Sequence, residues 1–197
     1  MKGDPFREIL QARVLIVGVG NPMRGDDGLG PLLVQGLAKK FRHLCLDAGD
    51  ALERHLGPIV RRRPDTVLLV DAVHMGWAPG EHAVLEPSEL AEIGFSTHRL
   101  PLKAQLEELQ QRVGARIYLL AVQPRRLELG TGVCGPVRRS LNRLQNRIAR
   151  APAITRPVGV IRPQARGSGA PGPAVGACVR GAAPAAMVPV WLIAPLD

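Results

Sequence analysis

The residues best suited to chemistry lie directly after a glycine turn. An apolar segment at residues 14–19 runs into the turn Gly18-Val19-Gly20, and two adjacent carboxylates, Asp26 and Asp27, follow it. Glycine turns in this position usually cradle phosphate, because backbone N–H groups at a helix start are electropositive. A turn that ends in two carboxylates is better suited to a cation. We interpret Asp26 as the N-cap of the next helix, which leaves Asp27 available for chemistry.

Three further candidates follow later elements of the chain. Asp47 comes near the end of a second apolar segment, Asp71 near the end of a third, and His98 lies in a loop before an amphipathic segment. In open α/β sheets, sites form beyond the carboxyl ends of the strands, so we expect these side chains at one edge. Asp27, Asp71 and His98 form a mixed oxygen and nitrogen set that suits a borderline divalent metal with open coordination positions. Taken singly, each has an ordinary interpretation as a turn former or a surface residue.

Alternating strands and helices are predicted to position these side chains. Strands covered on both faces need continuous apolar runs, and such runs predict strands over residues 14–19, 43–48, 66–72 and 116–122, with a shorter, more polar one over 81–85 nearer an edge. Apolar residues at helical spacing predict helices over residues 28–40, 101–113 and 135–149. The alternation predicts an α/β fold, a three-layer α/β/α domain with a mostly parallel twisted sheet of about five strands.

The chain of 197 residues suits one domain with a tail. All of these elements fall within residues 1–150, whereas residues 151–197 are rich in Pro, Ala and Gly and contain no Lys or Glu. That composition predicts a disordered or loosely docked tail. No apolar run reaches the roughly 18 residues that span a bilayer, and the N-terminus lacks the apolar core of a signal peptide. We therefore expect a cytoplasmic protein with no membrane insertion.

Cysteines and charge narrow the class further. Cys45, Cys134 and Cys178 are widely spaced and form no CxxC pair, which argues against a disulfide framework or a zinc site. Cys45 lies in an apolar segment and is interpreted as a buried thiol. A net charge of +9 with a run at residues 61–63 keeps a basic nucleic-acid-binding module as one alternative. No aromatic residues interleave the basic ones, so we expect a solvated basic surface and no nucleic-acid partner.

An NAD-binding oxidoreductase is the second alternative. Gly18 and Gly20 after a strand, with Asp47 at the end of the next strand, form part of a dinucleotide fingerprint. Met23 replaces the third glycine, and the carboxylates that follow would repel a pyrophosphate. The cation site is therefore the favoured interpretation.

Taken together, the segments resemble the endopeptidases that mature nickel–iron hydrogenases, in particular the branch that serves the formate hydrogenlyase type. The resemblance spans residues 14–149 and leaves out residues 151–197. No single motif is specific for this family, but the motifs together are. The segments that carry it are residues 17–21, 26–28, 47–49, 69–72, 96–98 and 121–124.

The resemblance implies an aspartyl-type protease that cleaves a short C-terminal peptide from a hydrogenase large-subunit precursor. Nickel would arrive with the substrate rather than serve as a permanent cofactor, and it would act as the recognition checkpoint. By position, Asp27, Asp71 and His98 match the residues that contact the nickel, and Asp47 matches a carboxylate tied to recognition or cleavage. Asp27, Asp47 and Asp71 are thus the expected catalytic residues. Many relatives carry a glutamate where Asp27 stands, and the formate-linked branch carries the aspartate.

The activation of the attacking water stays open at this stage. A metal can polarise the scissile carbonyl or lower the pKa of a bound water, and Asp47 or Asp27 can act as a general base. We expect a monomer. We also expect the isolated protein to bind metal weakly, because the substrate supplies the other ligands. The tail departs from the family pattern and could obstruct the site, so an inactive member is a third alternative.

Overall fold

The computed structural model describes residues 5–10, 13–89, 100–151 and 191–192, which all belong to one of the two units into which the chain divides. The described strands are β1 (Val14–Val19), β2 (Cys45–Gly49), β3 (Thr66–Ala72), β4 (His82–Leu85), β5 (Arg116–Val122) and β6 (Trp191–Leu192). The described α-helices are α1 (Pro5–Ile9), α2 (Leu29–Phe41), α3 (Leu56–Arg62), α4 (Leu100–Val113) and α5 (Gly135–Ala149). None of the helices in these ranges is long and apolar enough to cross a membrane.

The strands form one sheet in the order β2-β1-β3-β5-β4-β6. β1, β2, β3 and β5 run parallel, whereas β4 is antiparallel to β5 and β6 is antiparallel to β4. The predicted mostly parallel α/β sheet is confirmed. The sheet gains one strand beyond the predicted five, because Trp191 and Leu192 of the tail pair with Val84 and Ala83.

Helices cover both faces of the sheet and complete the three predicted layers. Alternate residues of each central strand point to opposite faces, which is why β1, β3 and β5 read as continuous apolar runs. One core cluster joins the sheet to α1, α2 and α5, and its members include Phe6, Ile16, Leu33, Leu68 and Leu144. The other joins the sheet to α3 and α4, and its members include Val17, Ile59, Leu69, Leu106 and Leu119.

The β1–α2 connection is packed backbone against backbone. A Cβ atom at Gly18 would overlap the carbonyl oxygen of Gly30, and a Cβ at Gly30 would overlap that of Val19. Both positions therefore require glycine. This close approach brings the start of α2, and the 3₁₀ turn Gly25–Gly28 before it, directly over the carboxyl end of β1.

The sequence did not predict helix α3 between β2 and β3. This helix has seven residues, and Gly57 and Pro58 in its first turn resemble loop signals. Proline is tolerated in the first turn, because its missing N–H would have no partner there. The sequence also did not predict α1. The predicted strand over residues 43–48 begins two residues before β2, because residues 42–44 form a 3₁₀ turn.

Candidate functional site

Asp27 lies in the 3₁₀ turn Gly25–Gly28, over the end of β1. Its Oδ2 accepts a hydrogen bond from the backbone N–H of Asn21 at 2.8 Å, and its side chain is half-buried. Gly20 makes this turn possible, since its φ is 125° and a Cβ there would overlap the Asp27 carbonyl oxygen. No described residue donates a hydrogen bond to Asp27 Oδ1, so this oxygen can bind a ligand.

Asp26, the neighbouring carboxylate, points into the protein and is fully buried. Its Oδ2 accepts the backbone N–H groups of Arg125 (2.8 Å) and Arg126 (3.1 Å), and its Oδ1 accepts that of Cys134 (2.7 Å). The backbone N–H of Asp26 in turn donates to the Arg126 carbonyl at 3.0 Å. One side chain thus ties the turn after β1 to the loop between β5 and α5.

The interpretation of Asp26 as a helix N-cap was therefore wrong. α2 has Gly28 at its N-cap, with no side-chain hydrogen bond to the helix, and Asp26 instead satisfies N–H groups about 100 residues away in the chain. Burial, the largest single effect, raises the pKa of Asp26. The N–H groups of Cys134, Arg125 and Arg126 together outweigh it, so the pKa is lowered. Asp26 is an ionised structural anion rather than a reactive group.

Asp47 is exposed on β2, on the α2 side of the sheet. Its Oδ1 accepts the backbone N–H of Gly49 at 3.0 Å, and its Oδ2 accepts the side-chain amide of Gln35 in α2 at 3.2 Å. Asp47 pairs with Gly18 across the sheet, and Gly18 pairs with Val70 on its other side. The backbones of Asp47 and Val70 are therefore about two strand spacings, ~10 Å, apart.

Asp71 lies at the carboxyl end of β3 on the opposite face. Val67 and Leu69 pack against α3 and α4, and the alternation of side chains along a strand assigns Asp71 to that face. It is half-buried, and its Oδ1 accepts the N–H of Ala72 at 2.7 Å. The sheet therefore brings Asp27, Asp47 and Asp71 to one edge but separates Asp47 and Asp71 onto different faces.

His98 lies outside the described residues. Helix α4 begins at Leu100, two positions later, and packs on the face that carries Asp71. α4 ends at Val113, only three positions before β5 begins, so it runs antiparallel to β5 and starts towards the carboxyl edge. Among the described residues, no three His, Cys, Asp or Glu side chains form a group that could hold a metal.

The loops after β3 and β5 carry two functional candidates, His74 and Gln123, to which the sequence assigned no role. Gln123, which follows β5, is 5% exposed, and its side-chain amide holds the backbone of Met75 and Trp77. It also contacts the ring of His74, an exposed residue three positions after Asp71. A glutamine between an apolar strand and a proline was the available signal, because a buried amide requires hydrogen-bond partners.

The turn after β1 leaves no phosphate cradle. Gly18 is used for packing against Gly30, and the carboxylate of Asp27 accepts the N–H of Asn21, a group that a phosphate cradle would leave open. Cys45 is a buried free thiol, as predicted, and burial raises its pKa to about 11 despite the nearby cation of Arg62. Cys134 is also free, and Cys178 lies outside the described residues.

Comparisons with known proteins identify the family. The HycI model, described as hydrogenase maturation protease, matches residues 31–151, more than half of the chain. The Hydrogenase 3 maturation protease of Escherichia coli K12 is 38% identical over 113 residues, which are 56% of this chain and 72% of that protein. The match to the family model begins after Asp27 and includes Asp47, Asp71 and His98.

Solved structures agree with this assignment. HycI of Thermococcus kodakarensis KOD1, a NiFe hydrogenase maturation protease, matches with a TM-score of 0.66 at 30% identity, covering 74% of this chain and 97% of that one. The endopeptidase HycI of Escherichia coli matches with a TM-score of 0.62 at 31% identity, covering 70% and 89%. The fold is that of a peptide-bond hydrolase of the α/β class. The chain belongs to the hydrogenase maturation protease family, as the sequence predicted, and neither alternative class finds support.

Proposed function

We propose that this endopeptidase removes a short C-terminal peptide from the large-subunit precursor of a nickel–iron hydrogenase after nickel has been inserted. The observation that supports the proposal is that Asp27 and Asp71 follow the neighbouring parallel strands β1 and β3 at the carboxyl edge of the sheet, on a chain of this family. Helix α4, which His98 precedes, starts towards the same edge. Two carboxylates and one imidazole suit a borderline metal that already holds other ligands.

In this proposal, nickel belongs to the substrate, and Asp27, Asp71 and His98 contact it from outside. Asp27 offers Oδ1, while Oδ2 is held by the N–H of Asn21, so the carboxylate is oriented before the substrate binds. Recognition of the metal would bring the C-terminal segment of the precursor against the sheet edge. Such positioning can supply much of the rate of cleavage.

We assign the general base to Asp47. It lies on the α2 face, away from Asp71, and its carboxylate is exposed to water. The hydrogen bonds from Gln35 and Gly49 fix its orientation and leave further lone pairs for an attacking water. The substrate's nickel would polarise the scissile carbonyl when it lies close enough to that bond.

The test is a processing assay with nickel-loaded and nickel-free precursor, in which mass spectrometry measures the mass of the precursor over time. We expect loss of a C-terminal peptide only from the nickel-loaded form. Asp27→Asn and Asp71→Asn should abolish both binding of the nickel-loaded precursor and cleavage. Asp47→Asn should retain binding and lower the cleavage rate by about 10²-fold or more. Efficient cleavage of nickel-free precursor by the wild-type protein would refute the checkpoint.

The tail, the state of assembly and the compartment need their own measurements. A chain truncated after Ala151, whose side chain is buried, should cleave the precursor at least as fast as the full chain. Cleavage by the truncated chain but not by the full chain would show that residues 152–197 obstruct the site. We further propose a cytoplasmic monomer, which light scattering and cell fractionation test.

A further inference from the structure

The side-chain amide of Gln123 uses both of its ends in hydrogen bonds. Its Oε1 accepts the backbone N–H groups of Met75 at 2.6 Å and Trp77 at 3.3 Å. Its Nε2 donates to the carbonyl oxygen of Pro124 at 2.9 Å and lies 3.3 Å from Nδ1 of His74. Each polar atom of this amide therefore has two partners.

These partners fix which end of the amide is which. Oxygen and nitrogen of an amide are alike in size, but only the oxygen can accept the two N–H groups, and only the nitrogen can donate to a carbonyl. A flipped Gln123 amide would oppose N–H to N–H at Met75 and oxygen to oxygen at Pro124. The N–H of Gln123 therefore faces the His74 ring.

The orientation of Gln123 determines the tautomer of His74. Since Gln123 donates, Nδ1 of His74 accepts, and the proton of the neutral ring lies on Nε2. His74 is exposed, its Nε2 points to the other side of the ring from Nδ1, and no described residue is hydrogen-bonded to Nε2. The ring thus offers a hydrogen-bond donor to solvent or to a ligand, and its accepting nitrogen is already in use.

The position of His74 is at the same sheet edge as the proposed site. The chain leaves β3 at Ala72, and the Val73 N–H donates to the Val122 carbonyl at 2.8 Å. His74 follows at once, beside Gln123 and three residues after Asp71. A peptide bound at this edge presents carbonyl oxygens, and a cleaved peptide presents a carboxylate, both of which accept hydrogen bonds.

We propose that His74 is a substrate-contacting residue that donates its Nε2–H to a carbonyl or carboxylate oxygen of the bound peptide, and that Gln123 is the positioning residue that fixes this donor. The inference rests on the proposed peptidase function. It assigns His74 to the peptide and not to the metal, because an imidazole ligand must present a lone pair rather than a proton.

Two substitutions of His74 separate the donor role from a metal role. His74→Gln retains an N–H donor near the Nε2 position, whereas His74→Asn retains a polar atom only near Nδ1. With nickel-loaded precursor, we expect His74→Gln to keep kcat/KM within about threefold of the wild type. His74→Asn should lower it by about ten- to fiftyfold through KM, the loss expected for one hydrogen bond. Gln110→Ala, an exposed substitution on α4, is the control.

The tautomer itself is measured by ¹⁵N NMR of the ring nitrogens of the neutral His74 side chain. We expect one fixed tautomer, with Nε2 protonated, in the wild type, and partial averaging in Gln123→Ala, since a free imidazole samples both tautomers. Protonation at Nδ1 in the wild type would overturn the inference. Equal kcat/KM for His74→Asn and the wild type would also overturn it. A wild-type protein that cleaves no nickel-loaded precursor would instead contradict the proposed function, while the NMR result would still test the role of Gln123.

Discussion

Asp26 and Asp27 are adjacent carboxylates with opposite roles, and their substitution should separate stability from activity. Asp26→Ala removes the acceptor of three backbone N–H groups in a buried site. Hydrogen bonds to charged groups contribute about 1.5–3 kcal/mol each, so we expect a loss of about 4.5 kcal/mol, the lower end of the sum of the three. For a chain of this size, this loss lowers Tm by about 9–18 °C.

Asp26→Asn should be intermediate, because its amide oxygen can still accept the N–H groups of Arg125 and Arg126. Its NH₂ group would then face the N–H of Cys134, which is 2.7 Å from Oδ1 in the native protein. We expect a loss of about 2 kcal/mol. Urea unfolding followed by circular dichroism measures both variants.

Asp27→Asn is the matched control. Its amide oxygen can replace Oδ2 as acceptor of the Asn21 N–H, so we expect a change in the free energy of unfolding below about 1 kcal/mol. Cleavage should nevertheless be lost. Equal destabilisation by Asp26→Asn and Asp27→Asn, or a stable Asp26→Ala protein, would refute this division of roles.

The same assignment fixes a pH dependence. Because folding lowers the pKa of Asp26 below its ordinary value of 3.8, its contribution to stability is present above that value. The contribution is lost as the pH falls through the lower pKa of the folded state. The wild-type chain should therefore lose stability more steeply below about pH 4 than Asp26→Asn does.

Three further predictions concern packing and buried groups. Gly30→Ala should lower the free energy of unfolding by more than about 3 kcal/mol, because its Cβ would overlap backbone oxygens of β1 and β3. Gly57 also precedes a proline in the first turn of a helix, but a Cβ there meets only the end of the Arg61 side chain, so Gly57→Ala should lower it by less than about 1 kcal/mol. Urea unfolding measures both variants. Burial, with repulsion from nearby arginines, lowers the pKa of His82 to about 4. Because the unfolded chain then binds a proton more readily than the folded one, wild-type stability should fall by up to about 3 kcal/mol from pH 6.5 to 4. His82→Leu should flatten that pH profile. Cys45, whose pKa is raised to about 11, should resist alkylation by iodoacetamide in the folded protein at pH 8 and react in urea.

The sequence predicted the central elements because each satisfies one strong local rule. β3 and β5 are continuous apolar runs covered on both faces, and their predicted limits agree with the structure. Helix α5 begins at a Gly-Pro pair and has a regular apolar stripe. Helix α3 and strand β6 were not predicted, because α3 is short and carries Gly57 and Pro58, and β6 is specified by its pairing with β4 rather than by its own residues.

The candidate site was predictable only in part, since local rules do not show long-range partners. The carboxyl ends of parallel strands meet at one edge, so the approximate location of Asp27, Asp47 and Asp71 followed from the predicted parallel sheet. The role of Asp26 did not follow, because its donors lie in the loop before α5. Nor did the role of Gln123, whose partner His74 lies 49 positions earlier in the chain.

The turn after β1 shows how one backbone arrangement can serve a different ligand. Gly18 permits close packing of α2 on β1, as glycines do in phosphate-binding turns, and the start of α2 faces the sheet edge. A phosphate would require open N–H groups there, yet Asp27 already accepts the N–H of Asn21, and Asp26 anchors the turn to the loop before α5. The negative charge that would repel a phosphate is thus held in place from within the protein. The turn therefore favours a cation over a phosphate, and this change of specificity requires no change of the glycines.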